Sequence, residues 1–77
     1  MAIGKIVQIE GPVVDVKFSN SKDIPGIKAA LETTVNDRRC VMEVASHLGG
    51  DIVRCIMLAP SEGLHRDMEV TTEGVGK

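Results

Sequence analysis

The sequence has no tryptophan, no tyrosine and only one phenylalanine, so a folded core has to be built from aliphatic side chains. It has no excess of charge either, because 9 basic and 11 acidic side chains leave a net charge of −2. Electrostatics therefore give no reason to expect DNA, RNA or anionic lipid as a partner. No apolar run approaches the roughly 18 residues of a membrane-spanning helix. The start of the chain has no signal-peptide or transit-peptide character, and its two cysteines indicate free thiols in a reducing compartment.

The residues that are present favour strands. Valine and isoleucine number 17 against 4 leucines in 77 residues, and β-branched side chains pack well in sheets. Residues 19–28 are rich in Ser, Asn, Asp, Pro and Gly and predict a loop. Strands are predicted at residues 4–10, 13–18, 29–35, 38–46, 51–58 and 68–73. An open sheet of these strands would leave two edges, so we predict an all-β fold, a closed six-stranded antiparallel β-barrel too narrow for a ligand cavity.

Two turn assignments predict which residues face each other. A two-residue turn at Asn36-Asp37 places residue 33 opposite 40 and residue 31 opposite 42. A four-residue loop at 47–50 places residue 44 opposite 53 and 42 opposite 55. Both turns send the same face of the fourth strand inward, and a one-residue slip in either would break this agreement. On the outer face they predict a cross-strand ion pair between Glu43 and Arg54, whereas Asp15 reads as an ordinary surface charge.

Four aliphatic side chains are predicted to lie on the outer face of the fourth and fifth strands. They are Val41, Ile52, Ile56 and Leu58, with Val41 facing Ile56 in the predicted register. Scattered exposed aliphatic residues are normal on protein surfaces. Four on two paired strands form a contiguous patch, and such patches mark contact surfaces. We therefore predict a subunit or domain interface at these residues.

The thiols and histidines do not make a convincing metal or catalytic site. Cys40 and Cys55 are 15 residues apart in mid-strand, and structural zinc uses closely spaced pairs on turns. The predicted register points both thiols inward, diagonal to each other, so we expect them to be buried and reduced. His47 and His65 fall in predicted loops without a nucleophile or carboxylate partner. No catalytic, cofactor or metal site is predicted within the 77 residues.

Two other interpretations fit parts of the pattern. Residues 74–77 end in Gly-Lys, as a phosphate-binding loop does, but the following Ser or Thr and helix are missing, so a frayed terminus is the better interpretation. A small β-barrel of the oligonucleotide-binding type is the main alternative function. Such barrels use aromatic stacking platforms and a basic groove, whereas this sequence has one phenylalanine and a net charge of −2.

Three stretches carry a family resemblance through their order and spacing. They are residues 4–18, residues 43–56 with Glu43-Val44-Ala45-Ser46-His47-Leu48-Gly49 and Val53-Arg54-Cys55-Ile56, and residues 61–66. Together they resemble the opening of the beta subunit of F-type ATP synthase over nearly the whole chain. Asp67 stands where the family usually has Gly, and Cys55 stands where Thr is usual. Residues 74–77 replace a Pro-containing linker.

The resemblance implies a role within a larger enzyme. In the family, an N-terminal crown barrel is followed by a nucleotide-binding domain, which takes ATP or ADP with Mg, and by a helical domain. Residues 1–77 would be the barrel alone, with no catalytic residue and no cofactor of its own. Its partners would be alternating alpha and beta subunits, in a ring that uses a proton or sodium gradient to make ATP. The absence of a transit peptide suits a bacterial version, on the cytoplasmic face of the cell membrane and in only indirect contact with it.

Overall fold

A computed structural model describes residues 2–58 and 63–72 of the chain. Six strands are present: β1 Ile3–Glu10, β2 Val13–Phe18, β3 Ala30–Val35, β4 Arg38–Gly49, β5 Ile52–Met57 and β6 Glu69–Thr71. They confirm the six predicted strands, and the largest difference is that β4 runs on to Gly49 instead of ending at Ser46. The predicted end of the last strand, Glu73, and the glycine-rich residues 74–77 lie outside the described residues. Within the described part, Ser21–Asp23 forms a short 3-10 turn, and no helix there has the length and apolarity to span a membrane.

The strands close into an antiparallel barrel, which confirms the predicted fold. Their order around the barrel is β1-β2-β5-β4-β3-β6, and β6 returns to pair with β1. The seam between β3 and β6 is the shortest contact, since one residue pair, Glu32 with Thr71, joins them. The Thr33 hydroxyl adds a second link by donating a hydrogen bond of 2.7 Å to the Glu69 carbonyl. Closure leaves no free strand edge in this sheet.

The barrel interior is filled by one alternating set of side chains from all six strands. Phe18 is fully buried and is the one aromatic residue of the chain. The remaining buried apolar side chains are Ile6, Val14, Val16, Leu31, Val35, Cys40, Met42, Val44, Val53, Cys55, Met57 and Val70. Each lies on the inward side of a strand because successive residues point to opposite faces.

The β3–β4 hairpin has the predicted register. Asn36 and Asp37 form its turn with φ values of 50° and 64°, the left-handed pair that a tight two-residue hairpin turn requires. Leu31 consequently faces Met42, and Thr33 faces Cys40. The local turn chemistry was sufficient to fix this pairing.

The predicted β4–β5 register is wrong by two residues. Met42 faces Met57 and Val44 faces Cys55, where the sequence had predicted residue 42 opposite 55 and residue 44 opposite 53. The turn is made by Gly50 and Asp51, both at positive φ, so the strand extends through the predicted loop. Two irregularities near the end of β4 accommodate its extra residues. A shift by two keeps the side chains of β4 up to Val44 on their predicted faces, which is why the predicted inward residues are still correct.

Candidate functional site

The register change gives Arg54 a different partner. Arg54 donates two hydrogen bonds to Asp15 on β2, from Nε to Oδ1 at 3.0 Å and from an Nη nitrogen to Oδ2 at 3.1 Å. The predicted ion pair between Glu43 and Arg54 is therefore wrong: Glu43 faces Ile56, and Arg54 lies opposite Ser46 on β4. Asp15 is only 5% exposed, so its description as an ordinary surface charge is also wrong.

The Asp15–Arg54 pair joins β2 and β5 on the outer side of the barrel. Both carboxylate oxygens of Asp15 are used, and a two-point contact between a guanidinium and a carboxylate fixes the orientation of both groups. These hydrogen bonds and the negative charge of Asp15 raise the pKa of Arg54 above its ordinary value. The pair therefore presents little uncompensated charge to a surface that packs against it.

An apolar patch lies beside this pair. We call it the outer apolar face, and it consists of Val13, Val41, Ile56 and Leu58. Val13 faces Ile56 across β2 and β5, and the Leu58 amide donates a hydrogen bond of 3.1 Å to the Val41 carbonyl. Ile56 and Leu58 are 38% and 59% exposed, whereas the two valines are half-buried. Val13 was missed from the sequence because its neighbour across the sheet, β5, is distant along the chain.

Ile52 does not belong to the outer apolar face. It is half-buried and faces Lys17 on β2 and Gly49 on β4, with Arg54 between it and Ile56 along the strand. Val41 also lies differently from its predicted position, since it contacts Leu58 and not Ile56. Three of the four predicted patch residues are thus brought together, and the pairing of β2 with β5 adds Val13. Their use as an interface remains a prediction.

The two cysteines are free and buried, as predicted. Their predicted diagonal contact is wrong, because Cys55 faces Val44 while Cys40 faces Thr33 on β3. Burial raises the pKa of the Cys55 thiol to about 12, and the nearby negative charge of Asp15 acts in the same direction. A thiol with such a pKa is protonated near neutral pH and is a poor nucleophile.

The two histidines lie in different segments, and one ring nitrogen of each is close to a backbone carbonyl. His47 lies in β4 and not in a loop, and its Nε2 is 2.8 Å from the Pro25 carbonyl, which ties the strand to the loop after β2. His65 lies in the segment before β6, where its Nδ1 is 2.9 Å from the Arg66 carbonyl. Within residues 2–58 and 63–72, no three His, Cys, Asp or Glu side chains are grouped as metal ligands.

Two open clefts lie on the part of the barrel surface that the structure describes. One, of about 360 Å³, lies at the β3–β6 seam beside Glu32, Thr34 and Glu69. The other, of about 450 Å³, lies over β1 and β2 beside Lys5 and Lys17. Both are open to solvent and neither includes a residue of the outer apolar face. The predicted interface at the outer apolar face is thus separate from both clefts.

Comparison with known families identifies this barrel. The beta-barrel domain of the ATP synthase alpha/beta family matches residues 6–74, which is most of the chain. The chain belongs to the ATP synthase alpha/beta family. The resemblance to this family is thereby confirmed at the level of the family, which includes both alpha and beta subunits. The matched domain is common to alpha and beta subunits, and members of the ATP synthase alpha/beta family assemble into an alpha/beta ring.

Proposed function

We propose that this chain is the barrel domain of the catalytic beta subunit of an F-type ATP synthase that translocates protons or sodium ions. Its own role is to pack against neighbouring subunits in the crown of the alpha/beta ring. The choice of beta over alpha rests on the beta-like stretches at residues 4–18 and 43–56. The packing role rests on the outer apolar face together with membership of the alpha/beta family.

The outer apolar face carries the packing proposal because its exposure is costly without a partner. Leu58 leaves 59% of its surface in water and Ile56 leaves 38%. Covering a large aliphatic side chain completely is worth about 1.5–3 kcal/mol, so covering what remains exposed of these two contributes roughly 2 kcal/mol together. The neighbouring Asp15–Arg54 pair is charge-balanced, so covering it brings no unpaired charge into the interface, and the remaining guanidinium N–H groups of Arg54 can donate to a partner.

In this proposal the barrel holds subunits together while chemistry takes place elsewhere in the beta subunit. ATP or ADP and Mg would bind to the nucleotide domain, and no catalytic residue would come from the barrel. The assembly would stand on the cytoplasmic face of a bacterial membrane, and the barrel would contact that membrane only through other subunits. The family membership supports the ring, and the subunit type, the ion and the location are our extension of it.

A chimeric ATP synthase tests the subunit type. The barrel of a bacterial beta subunit is replaced with this sequence in one strain, and the barrel of the alpha subunit is replaced with it in another. We expect proton-driven ATP synthesis in membrane vesicles from the first strain and little from the second. Activity only in the alpha replacement would assign the chain to the alpha subunit.

A charge placed on the outer apolar face tests the packing role. Ile56→Glu should leave the barrel folded, because the side chain points away from the core, but should weaken ring assembly. Ile27→Glu is the matched control, since Ile27 is 52% exposed in a loop outside the face. Equal assembly of the two variants, measured by size-exclusion chromatography of the reconstituted ring, would contradict the proposal. Unfolding of Ile56→Glu would contradict the assignment of the face.

The competing function, binding of single-stranded nucleic acid, has no support in these residues. Phe18 is fully buried, so it cannot stack on a base, and the net charge is −2. A pull-down with single-stranded DNA at low and high salt tests it directly. Strong binding that disappears with salt would favour the nucleic-acid function over the packing role.

A further inference from the structure

Charged side chains on β1 to β5 surround the outer apolar face. Each of them either faces a member of the outer apolar face across a strand pair or lies two residues from one along a strand. They are Glu10, Asp15, Glu32, Arg39, Glu43 and Arg54. Four carboxylates and two guanidinium groups give this border a net charge of −2.

Both guanidinium groups are already engaged within the barrel. Arg54 holds Asp15 through two hydrogen bonds, and Arg39 lies 3.5 Å from Glu32 on β3. Among the described residues, neither Glu10 nor Glu43 has a cationic nitrogen within 4.0 Å. Glu10 is near enough to Arg54 for its negative charge to raise the pKa of Arg54, so Glu43 is the border carboxylate left without a cationic partner among the described residues.

Glu43 and Glu10 occupy different environments. Glu43 is half-buried and faces Ile56, one of the two most exposed residues of the outer apolar face. Glu10 is exposed and faces Val13 at the far edge. A surface that covers Ile56 will therefore remove water from Glu43, whereas Glu10 can stay hydrated. A carboxylate that loses its water needs an opposite charge or hydrogen-bond donors in return.

We propose that the neighbouring subunit that covers the outer apolar face in the proposed ring, a different polypeptide, places a lysine or arginine against Glu43. This inference rests on the proposed packing function and adds the chemistry of the partner. A second copy of this chain does not fit, because two copies joined through the same face bring an uncompensated acidic border against another one. Like charges brought together across an interface select against that pairing.

The test uses the chain with the recombinant alpha subunit of a bacterial F-type ATP synthase as the probe. Dissociation constants are measured for wild type, Ile56→Glu, Glu43→Gln and Glu43→Lys at low and high salt. Glu69→Lys is the matched charge reversal, because Glu69 is exposed on β6, three strands from β5 around the barrel. Thermal unfolding of each variant by circular dichroism shows that it is folded.

We expect Glu43→Gln to weaken binding about tenfold and Glu43→Lys to weaken it further, with Glu69→Lys close to wild type. The loss caused by Glu43→Gln should shrink at high salt, because screening weakens the charge pair in the wild type. If Ile56→Glu weakens binding while both Glu43 variants bind as wild type does, the packing function survives and this inference is overturned. If wild type does not bind, or Ile56→Glu binds equally well, the packing function fails and the inference fails with it. A wild-type dimer in sedimentation equilibrium that Ile56→Glu dissociates would overturn the choice of a different polypeptide.

Discussion

Gly4 is a position where the barrel has too little room for a side chain. It lies on β1 opposite Phe18, with its inward side against the core. A Cβ atom at this position would be 2.6 Å from the Val16 Cγ1 atom, 3.1 Å from Phe18 Cε2 and 3.1 Å from the Lys17 carbonyl oxygen. The valine is stiff about χ1, and the carbonyl oxygen is part of the strand backbone. Gly4→Ala consequently cannot be accommodated by a simple rotation.

The size of the expected effect follows from these contacts. Overpacking of a well-packed core typically costs about 1–3 kcal/mol. A domain of this length has a free energy of unfolding of roughly 4–12 kcal/mol. In a small domain each 1 kcal/mol lowers the melting temperature by about 4–8 °C. We therefore expect Gly4→Ala to lose roughly 2 kcal/mol and to melt about 8–16 °C lower than wild type.

Urea denaturation followed by circular dichroism measures the change, and Gly26→Ala is the control. Gly26 lies in a loop where an added Cβ atom would meet nothing within 4 Å beyond its chain neighbours, so the same substitution should change stability by less than about 0.5 kcal/mol. In the double variant Gly4→Ala/Val16→Ala the two losses should be less than additive, because the contacting Cγ1 atom is gone. Wild-type stability of Gly4→Ala would refute the close packing of β1 against β2.

Three further predictions concern a turn, a thiol and the barrel seam. Asp37→Gly should raise the free energy of unfolding by roughly 0.5–1 kcal/mol, because glycine adopts positive φ without strain; an unchanged urea midpoint would contradict this. The pKa of Cys55 is raised from 9.0 to about 12, so the folded state holds its proton more tightly, and stability should fall as pH rises from about 9 to 12. Cys55→Val should remove that part of the pH dependence, and identical profiles would show that the thiol is not its source. Thr33→Val removes the hydrogen bond to the Glu69 carbonyl, so the β3–β6 seam should open more often and amide hydrogen exchange at Val70 should become faster. Unchanged exchange would show that this hydrogen bond does not hold the seam closed.

The sequence alone determined the strands, their inward faces and the turn between β3 and β4. Alternation along a strand has a period of two, so the side of the sheet on which Met42 or Cys55 lies can be read from the pattern of apolar residues. Asn36-Asp37 could be recognised because few residues accept the left-handed backbone of a two-residue turn. Closure into a barrel followed from the number of short strands and the need to protect their edges.

Only the tertiary structure decided two features: the register between β4 and β5, and the position of β2 beside β5. A period of two cannot distinguish registers that differ by two residues, so the extra residues in β4 and the turn at Gly50 were invisible in the pattern. The Asp15–Arg54 pair spans 39 positions in the sequence and exists because β2 lies beside β5. That arrangement depends on how the whole sheet closes, and no local signal at Asp15 distinguishes a buried, paired carboxylate from a solvated one. The composition of the outer apolar face depends on the same closure, since Val13 joins Ile56 only through the pairing of β2 with β5.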